Sequence, residues 1–349
     1  MLTTFSLDNQ QQMEQWDRYV RTHPDGTPFH LSAWIRVIHE TYSLKPLLYV
    51  LQDENGDVSG IVPFIIAKSP TLRTRLISLP FSDYGGPLCS DSDKVATWLN
   101  SIVKKHAKQA QYFEIRSGLR DTEGLYPQQH YKRHILCLSS NPQETLRKIE
   151  KRTIQYSIRK AQREGVTVTD ESNHRGVAEF FRLNRLTRRK HGLPYQPIFF
   201  FKELFEHLIS KGIGRIMLAS SDSTVIAGAL FLMFKDCVYY KYNASDPAYL
   251  SKKTPNHLLT WQAIEQGCVE GYKFFDFGRT SIYNAGLLRY KEMWGADSMD
   301  LPYFFFPDVK PAKTQEGDSS LYRVASKIWC SLPDGVADWL APRVYRYLA

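Results

Sequence analysis

Cysteine is scarce and scattered. Cys89, Cys137, Cys237, Cys268 and Cys330 are odd in number and never fall in a CxxC spacing, which argues against a disulfide framework and a zinc site and fits a reducing compartment. Long apolar runs are also missing: no stretch approaches the roughly 18 residues that a membrane-spanning helix needs. Met1-Leu-Thr-Thr-Phe-Ser-Leu-Asp8 has no basic segment leading into an apolar one. These absences point to a cytoplasmic protein. There is no GxSxG, no HExxH and no GxxxxGK followed by Ser or Thr, and the ten histidines have no ligand spacing, so neither a hydrolase nor a metal enzyme is expected. Helix-turn-helix, finger and RNP signatures are lacking too, and DNA is not an expected partner.

What is present suits a folded protein of two domains: 349 residues, 43% of them hydrophobic. The net charge of +9 is concentrated. From Leu146 to His191 there are thirteen Lys or Arg against five acids, a local positive potential suited to phosphates, whether of a nucleic acid or of a pyrophosphate-linked substrate. The alternative for each residue is a solvated, salt-bridged helix face.

An internal repeat organises the chain. Pro46 to Ile66 reads as two apolar strands around Asn55-Gly56, a hairpin signal, and Arg215 to Phe234 repeats it with Gly228 where the first copy has Gly60. In the first copy a strand at Arg75 to Pro80 precedes a helix at about Asp93 to Lys108 and the strand Gln111 to Arg116. In the second, the aromatic strand from Cys237 precedes a helix from Pro255 and the strand Lys273 to Phe277. The fold class is therefore α+β, two copies of one unit with mixed, mainly antiparallel sheets flanked by helices. The expected division is 1–140 and 166–306 for the two domains, with 141–165 as a basic linking helix and 307–349 as a helical extension. Asn141 caps the link, Pro142 starts it and Gly165 ends it. In the extension, Leu321, Val324, Ile328 and Trp329 share one face.

Five blocks carry a family resemblance: Pro28-Phe-His-Leu-Ser-Ala-Trp34, Leu79-Pro-Phe-Ser-Asp-Tyr-Gly-Gly-Pro87, Arg189-Lys-His-Gly-Leu-Pro194, Phe275-Asp-Phe-Gly-Arg279 and Leu288-Arg-Tyr-Lys-Glu-Met-Trp-Gly295. With the hairpins and the aromatic strands, they make the chain resemble tandem GNAT acyltransferase domains, and more specifically the FemAB-like, Fem-type aminoacyl ligases. The resemblance implies a substrate cleft between the halves and transfer of an acyl group to an amine of a cell-envelope precursor, in peptidoglycan or exopolysaccharide synthesis. It implies no tightly bound cofactor, with aminoacyl-tRNA or acyl-CoA as co-substrate. GNAT enzymes place a Gly-rich loop before the central helix to hold pyrophosphate. Here Asp246 to Asn256 has no glycine, which departs from a CoA cradle. Two other readings stay open: a CoA-dependent N-acetyltransferase of a sugar or small amine, and a non-catalytic RNA-binding protein that uses the basic centre.

Lys291 matches the lysine that Fem-type enzymes hold near the reacting acyl group, where an ammonium stabilises the tetrahedral oxyanion; otherwise it is a surface lysine on an amphipathic helix. Arg279 follows a strand and a permissive glycine, which suits a substrate phosphate or carboxylate, or else a salt bridge to Asp276. Asp83 and Tyr84 precede Gly85-Gly86, a turn that presents them to a substrate or merely satisfies its own backbone. Arg188 and Arg189 end a helix, placed for phosphate or for the helix dipole. Tyr240 and Tyr242 are assigned to one sheet face and Tyr239 to the other, with Tyr242 the candidate to orient the amine. Lys252, Lys253 and Asn256, at the start of the central helix, are the donor-binding candidates. Leu321, Trp329, Trp339, Tyr345 and Tyr347 among Arg323, Lys327, Arg343 and Arg346 suggest contact with the inner membrane face or packing onto the second domain.

Overall fold

The computed structural model describes residues 2–68, 74–116, 124–307 and 329–348. The chain forms two units. One comprises 1–131, 300–314 and 343–349, and the other 132–299 and 315–342.

The first unit opens with β1 (Leu2–Phe5), α1 (Gln10–Thr22), α2 (Ser32–Tyr42), β2 (Lys45–Gln52), β3 (Val58–Lys68), β4 (Thr74–Ile77), β5 (Leu88–Cys89), α3 (Ser92–His106) and β6 (Tyr112–Ile115). Its sheet runs β1-β2-β3-β4-β6, antiparallel except for the crossover pair β4–β6. The hairpin turns where Asn55-Gly56 predicts it: Gly56 sits at φ +85, a conformation glycine adopts freely. Leu99 and Ile102 of α3 are buried against Val62, Phe64, Leu76 and Phe113, each such side chain contributing about 1.5–3 kcal/mol.

The second unit repeats this order. After β7 (Tyr126–Cys137), α4 (Pro142–Lys148), a π-helical turn (Lys151–Gln155) and α5 (Tyr156–Arg163) come β8 (Thr167–Asp170), α6 (His174–Lys190), α7 (Ile198–His207), β9 (Gly214–Ser221), β10 (Thr224–Phe234), β11 (Cys237–Ser245), α8 (Leu250–Lys253), α9 (Pro255–Val269), β12 (Phe274–Ser281) and α10 (Ala285–Met293). The sheet order is β7-β12-β11-β10-β9-β8, with β11–β12 the parallel pair. Leu258, Leu259, Trp261 and Ile264 bury α9 on nearly every side, the pattern of a central helix. On α6, Phe180 and Leu183 close onto Gly228, where a Cβ would stand 2.8 Å from Leu218 and 3.2 Å from Phe180.

Two segments take places other than those read from the sequence. The stretch 141–165 packs within the second unit and breaks midway. Asn141 accepts the Gln143 N–H at 3.0 Å, and then Glu150 starts a new helical run by accepting the N–H groups of Arg152 and Thr153 at 2.8 and 2.6 Å. The Glu150 N–H donates to the Met293 carbonyl at 2.9 Å, and Gly295 has no Cβ because the Lys148 carbonyl would lie 2.9 Å from one. The final strand, β13 (Asp297–Phe306), gives Phe304–Phe306 to the first unit's sheet beside β6, although it follows the second repeat in sequence. Of the expected C-terminal stripe, Leu321, Arg323, Val324, Lys327 and Ile328 lie outside the described residues. Trp329 is buried 6.0 Å from Tyr195, Tyr345 stacks on Phe81, and Trp339 on α11 (Asp334–Tyr345) is 60% exposed.

Candidate functional site

The site grows out of the parallel pair in the second unit. β11 and β12 pair only over Cys237–Tyr239 and Phe274–Asp276; each strand then runs on, to Ser245 and Ser281, without the other. On its opposite edge β11 bulges: Phe231 faces Tyr240 and Leu230 faces Tyr242, leaving Lys241 as the extra residue. A bulge re-aims the side chains beyond it. Tyr240 stacks on Phe231 and contacts Phe275 and Phe277, while Tyr242 meets Phe200 and Phe201 of α7 edge-on and accepts a bond from Gln196 at 2.9 Å. The two tyrosines therefore occupy opposite faces, a correction to the simple alternation expected of them.

The Tyr240 hydroxyl accepts from Asn243 of its own strand at 2.6 Å and from Thr260 of α9 at 3.3 Å. Burial pushes its pKa to about 12, so it stays protonated. At the start of α9, Thr254 adopts a left-handed conformation (φ 45) and Pro255 is the first helical residue. His257 packs 5.8 Å from Tyr290 and 6.4 Å from Trp294, and burial lowers its pKa.

At the last paired position of β12, Asp276 is buried and ion-paired with Arg133 of β7 at 2.8 Å. Its other oxygen accepts the N–H of Gly278 at 2.7 Å, and Gly278 takes φ +70, a conformation that favours glycine. The turn aims three carbonyls at α10. Lys291 is buried, and its Nζ donates to Phe277 O at 2.6 Å and to Gly278 O and Arg279 O at 3.1 Å each. It is not a surface lysine. Arg279 is half-buried, and the partner found for Asp276 is Arg133.

Several buried polar atoms around this wedge have no hydrogen-bond partner among the described residues: Asn256 Oδ1, His257 Nδ1, Thr280 Oγ1, Trp294 Nε1 and both ring nitrogens of His134. Such groups are uncommon in a folded interior and mark places where a ligand or water completes the bonding. His134 is fully buried on β7. Burial, and then the charge of Lys291, lower its pKa to about 4.

The other sequence candidates lie elsewhere in their units. Lys253 donates to Ser221 Oγ at 2.7 Å and to Glu164 O at 3.2 Å, whereas Lys252 is exposed. Arg188 braces the turn after α6 through Pro194 O at 3.0 Å, and Arg189 holds Leu332 O at 2.8 Å. In the first unit, the Asp83 carbonyl accepts from the Tyr303 hydroxyl, and Tyr84 is buried edge-on to Phe29. His257, Thr280 and His134 were not singled out from the sequence, and Tyr240 was passed over in favour of Tyr242. His134 and Thr280 sit among other polar residues of their strands, Gln128 to Arg133 on β7 and Asp276, Arg279 and Ser281 on β12, so no local signal set them apart.

Residues 149–292 match the family described as acetyltransferase (GNAT) domain. Across 81% of its length the chain is 21% identical to a lipid II:glycine glycyltransferase of Staphylococcus epidermidis, covering 88% of that protein. Its fold is similar to the crystal structure of FemX, with a TM-score of 0.68, 17% identity and coverage of 88% of this chain and 97% of that one. L-PGS from Bacillus licheniformis (TM-score 0.56, 11% identity, 90% and 95% covered) and a tandem GNAT protein of the clavulanic acid biosynthesis pathway (TM-score 0.54, 9% identity, 87% and 97% covered) share it. The architecture is thus that of tandem GNAT proteins, with the Fem-like resemblance that the Phe275–Arg279 and Leu288–Gly295 blocks implied.

Proposed function

We propose that this protein is an acyltransferase that moves an aminoacyl group from aminoacyl-tRNA to an amine of a peptidoglycan precursor. The carrying observation is the wedge between β11 and β12, lined by unpartnered polar atoms and closed at one end by the buried charge of Lys291. The relative's activity on lipid II supports the acceptor class, and the lack of glycine between Asp246 and Asn256 favours tRNA over CoA as carrier.

In the proposed reaction the acceptor amine attacks the ester carbonyl, a C–N bond forms, the C–O bond to the ribose breaks, and the proton shed by the amine ends on the released hydroxyl. Holding the two reactants together supplies most of the acceleration. Lys291 presents a fixed positive charge to the developing oxyanion, and either of its two longer bonds is the one exchanged for that oxygen. Arg279 is the proposed anchor for an acceptor phosphate or carboxylate. Among the described residues no helix is long and apolar enough to cross a membrane; peripheral contact with a lipid-linked acceptor belongs to the same proposal. Mass spectrometry of a peptidoglycan precursor incubated with charged tRNA tests it: the acceptor gains one aminoacyl mass. Transfer from acyl-CoA, with charged tRNA inert, overturns the donor assignment.

A further inference from the structure

We infer that a basic stripe on α5, joined by α8, binds the phosphate backbone of an RNA, an inference that rests on the donor reading above. The helical run from Lys151 to Arg163 has two distinct faces. Ile154, Ile158 and Ala161 are buried on one. Arg152, Tyr156, Arg159 and Arg163, spaced four, three and four apart, are exposed on the other. The Arg163 guanidinium lies 5.9 Å from the Tyr156 ring centroid, so these two do share a face.

α8 is fastened to the same helix. Lys160 Nζ donates to Ser251 O at 3.0 Å and Thr254 Oγ1 to Ser157 O at 2.8 Å, which brings the exposed Lys252 alongside the stripe. A salt-bridged helix face would look different: Arg152, Arg159, Arg163 and Lys252 form no ion pair with a described carboxylate, and the nearby Glu150 carboxylate is taken up by backbone N–H groups. The eleven residue steps from Arg152 to Arg163 span about 16 Å at the helical rise, enough to follow several phosphates. Arginine forks suit phosphate oxygens, and an exposed tyrosine suits an unstacked base. A bilayer surface fits less well, because it needs a broad apolar face and Tyr156 is the lone aromatic here.

The test measures fluorescence anisotropy of full-length protein with a labelled RNA hairpin bearing an unpaired 3′ end, at a series of salt concentrations. The combined variant Arg152→Gln, Arg159→Gln, Arg163→Gln, Lys252→Gln is expected to lose at least about tenfold in affinity. The slope of log affinity against log salt should shrink by about 0.7–0.9 for each phosphate contact removed. Tyr156→Ala is expected to lose about tenfold through stacking, while Arg175→Gln on α6, whose guanidinium lies 4.0 Å from Glu171, leaves binding unchanged. Thermal melting confirms that each variant is folded. Wild-type RNA affinity in the combined variant overturns the inference, as does a loss confined to vesicles of phosphatidylglycerol and phosphatidylcholine with RNA binding intact. Transfer activity is read separately: a wild-type protein that binds RNA through the stripe but takes its acyl group from CoA contradicts the proposed donor and leaves the stripe standing.

Discussion

Tyr240 and Tyr242, two residues apart on one strand, point to opposite faces of their sheet because β11 bulges at Lys241. The bulge lies just beyond the last paired residues of β11 and β12, so the tyrosine reversal and the opening of the wedge share one cause. Deleting Lys241 removes the extra residue and leaves Tyr240 and Tyr242 opposite Phe231 and Leu230, each on its present face, so β11 loses the local bend and twist that a bulge gives. The expected result is a second unit that still melts cooperatively by circular dichroism and calorimetry but loses transfer activity. Wild-type activity in the folded variant would show that the bulge is incidental.

Lys291 is expected to matter twice. Lys291→Ala leaves the carbonyls of Phe277, Gly278 and Arg279 without their donor, costing about 2–4 kcal/mol of stability and several degrees in Tm. At a temperature where the variant remains folded, kcat should fall about 10²–10³-fold. Lys291→Arg should recover little of either, since a planar fork cannot serve three carbonyls converging on one point. A folded Lys291→Ala protein with wild-type kcat and raised KM would assign the lysine to ground-state binding instead.

The Arg133–Asp276 pair links β7 to β12 at the point where β12 parts from β11. Asp276→Asn should cost about 3 kcal/mol, the lower end for a broken buried pair, because the Arg133 side chain keeps 27% exposure and Asp276 has none. Arg133→Met with Asp276→Leu should restore part of the loss, read as urea midpoints. A single variant as stable as the parent would mean the pair is dispensable.

Stability should fall with acid in a window set by His134. Its pKa is depressed from 6.5 to about 4 in the folded protein, by burial first and then by Lys291. Above pH 6.5 both states are neutral and nothing is lost. Between 6.5 and about 4 the unfolded chain takes up a proton that the folded protein refuses, so stability declines as pH drops. His257 is shifted the same way; His134→Asn should therefore flatten the acid limb in part. An unaltered profile of Tm against pH in that variant would rule out His134 as the titrating group.

The repeat was legible because its signals are local. Asn55-Gly56 and the strand patterns on either side of it are properties of a few neighbouring residues, as are the cap at Asn141 and the motif blocks. The exchange of β13 was not: Leu301 to Phe306 reads as a strand, yet nothing in its alternation names Phe113 to Ile115 as its partner. The same holds at the site. Arg133 and Asp276 meet across 143 residues, and Lys291 finds carbonyls 12 to 14 residues upstream only because Gly278 turns them toward α10. The bulge at Lys241 was hidden since Tyr-Tyr-Lys-Tyr alternates as well as any strand. Lys253 was read as a phosphate ligand on charge alone, and its bonds to Ser221 and Glu164 depend on tertiary packing.

In the proposed reaction the acyl group enters the wedge between β11 and β12, and hydrogen exchange of the full-length protein with and without a non-hydrolysable aminoacyl-RNA analogue reads that placement. The expected protection is concentrated in Tyr240–Ser245, Asn256–Thr260 and Phe277–Ser281. It should diminish in Thr280→Val, whose lost hydroxyl has no partner among the described residues. Saturating analogue that leaves all three segments exchanging as in the free protein, with protection elsewhere, would contradict entry through the wedge.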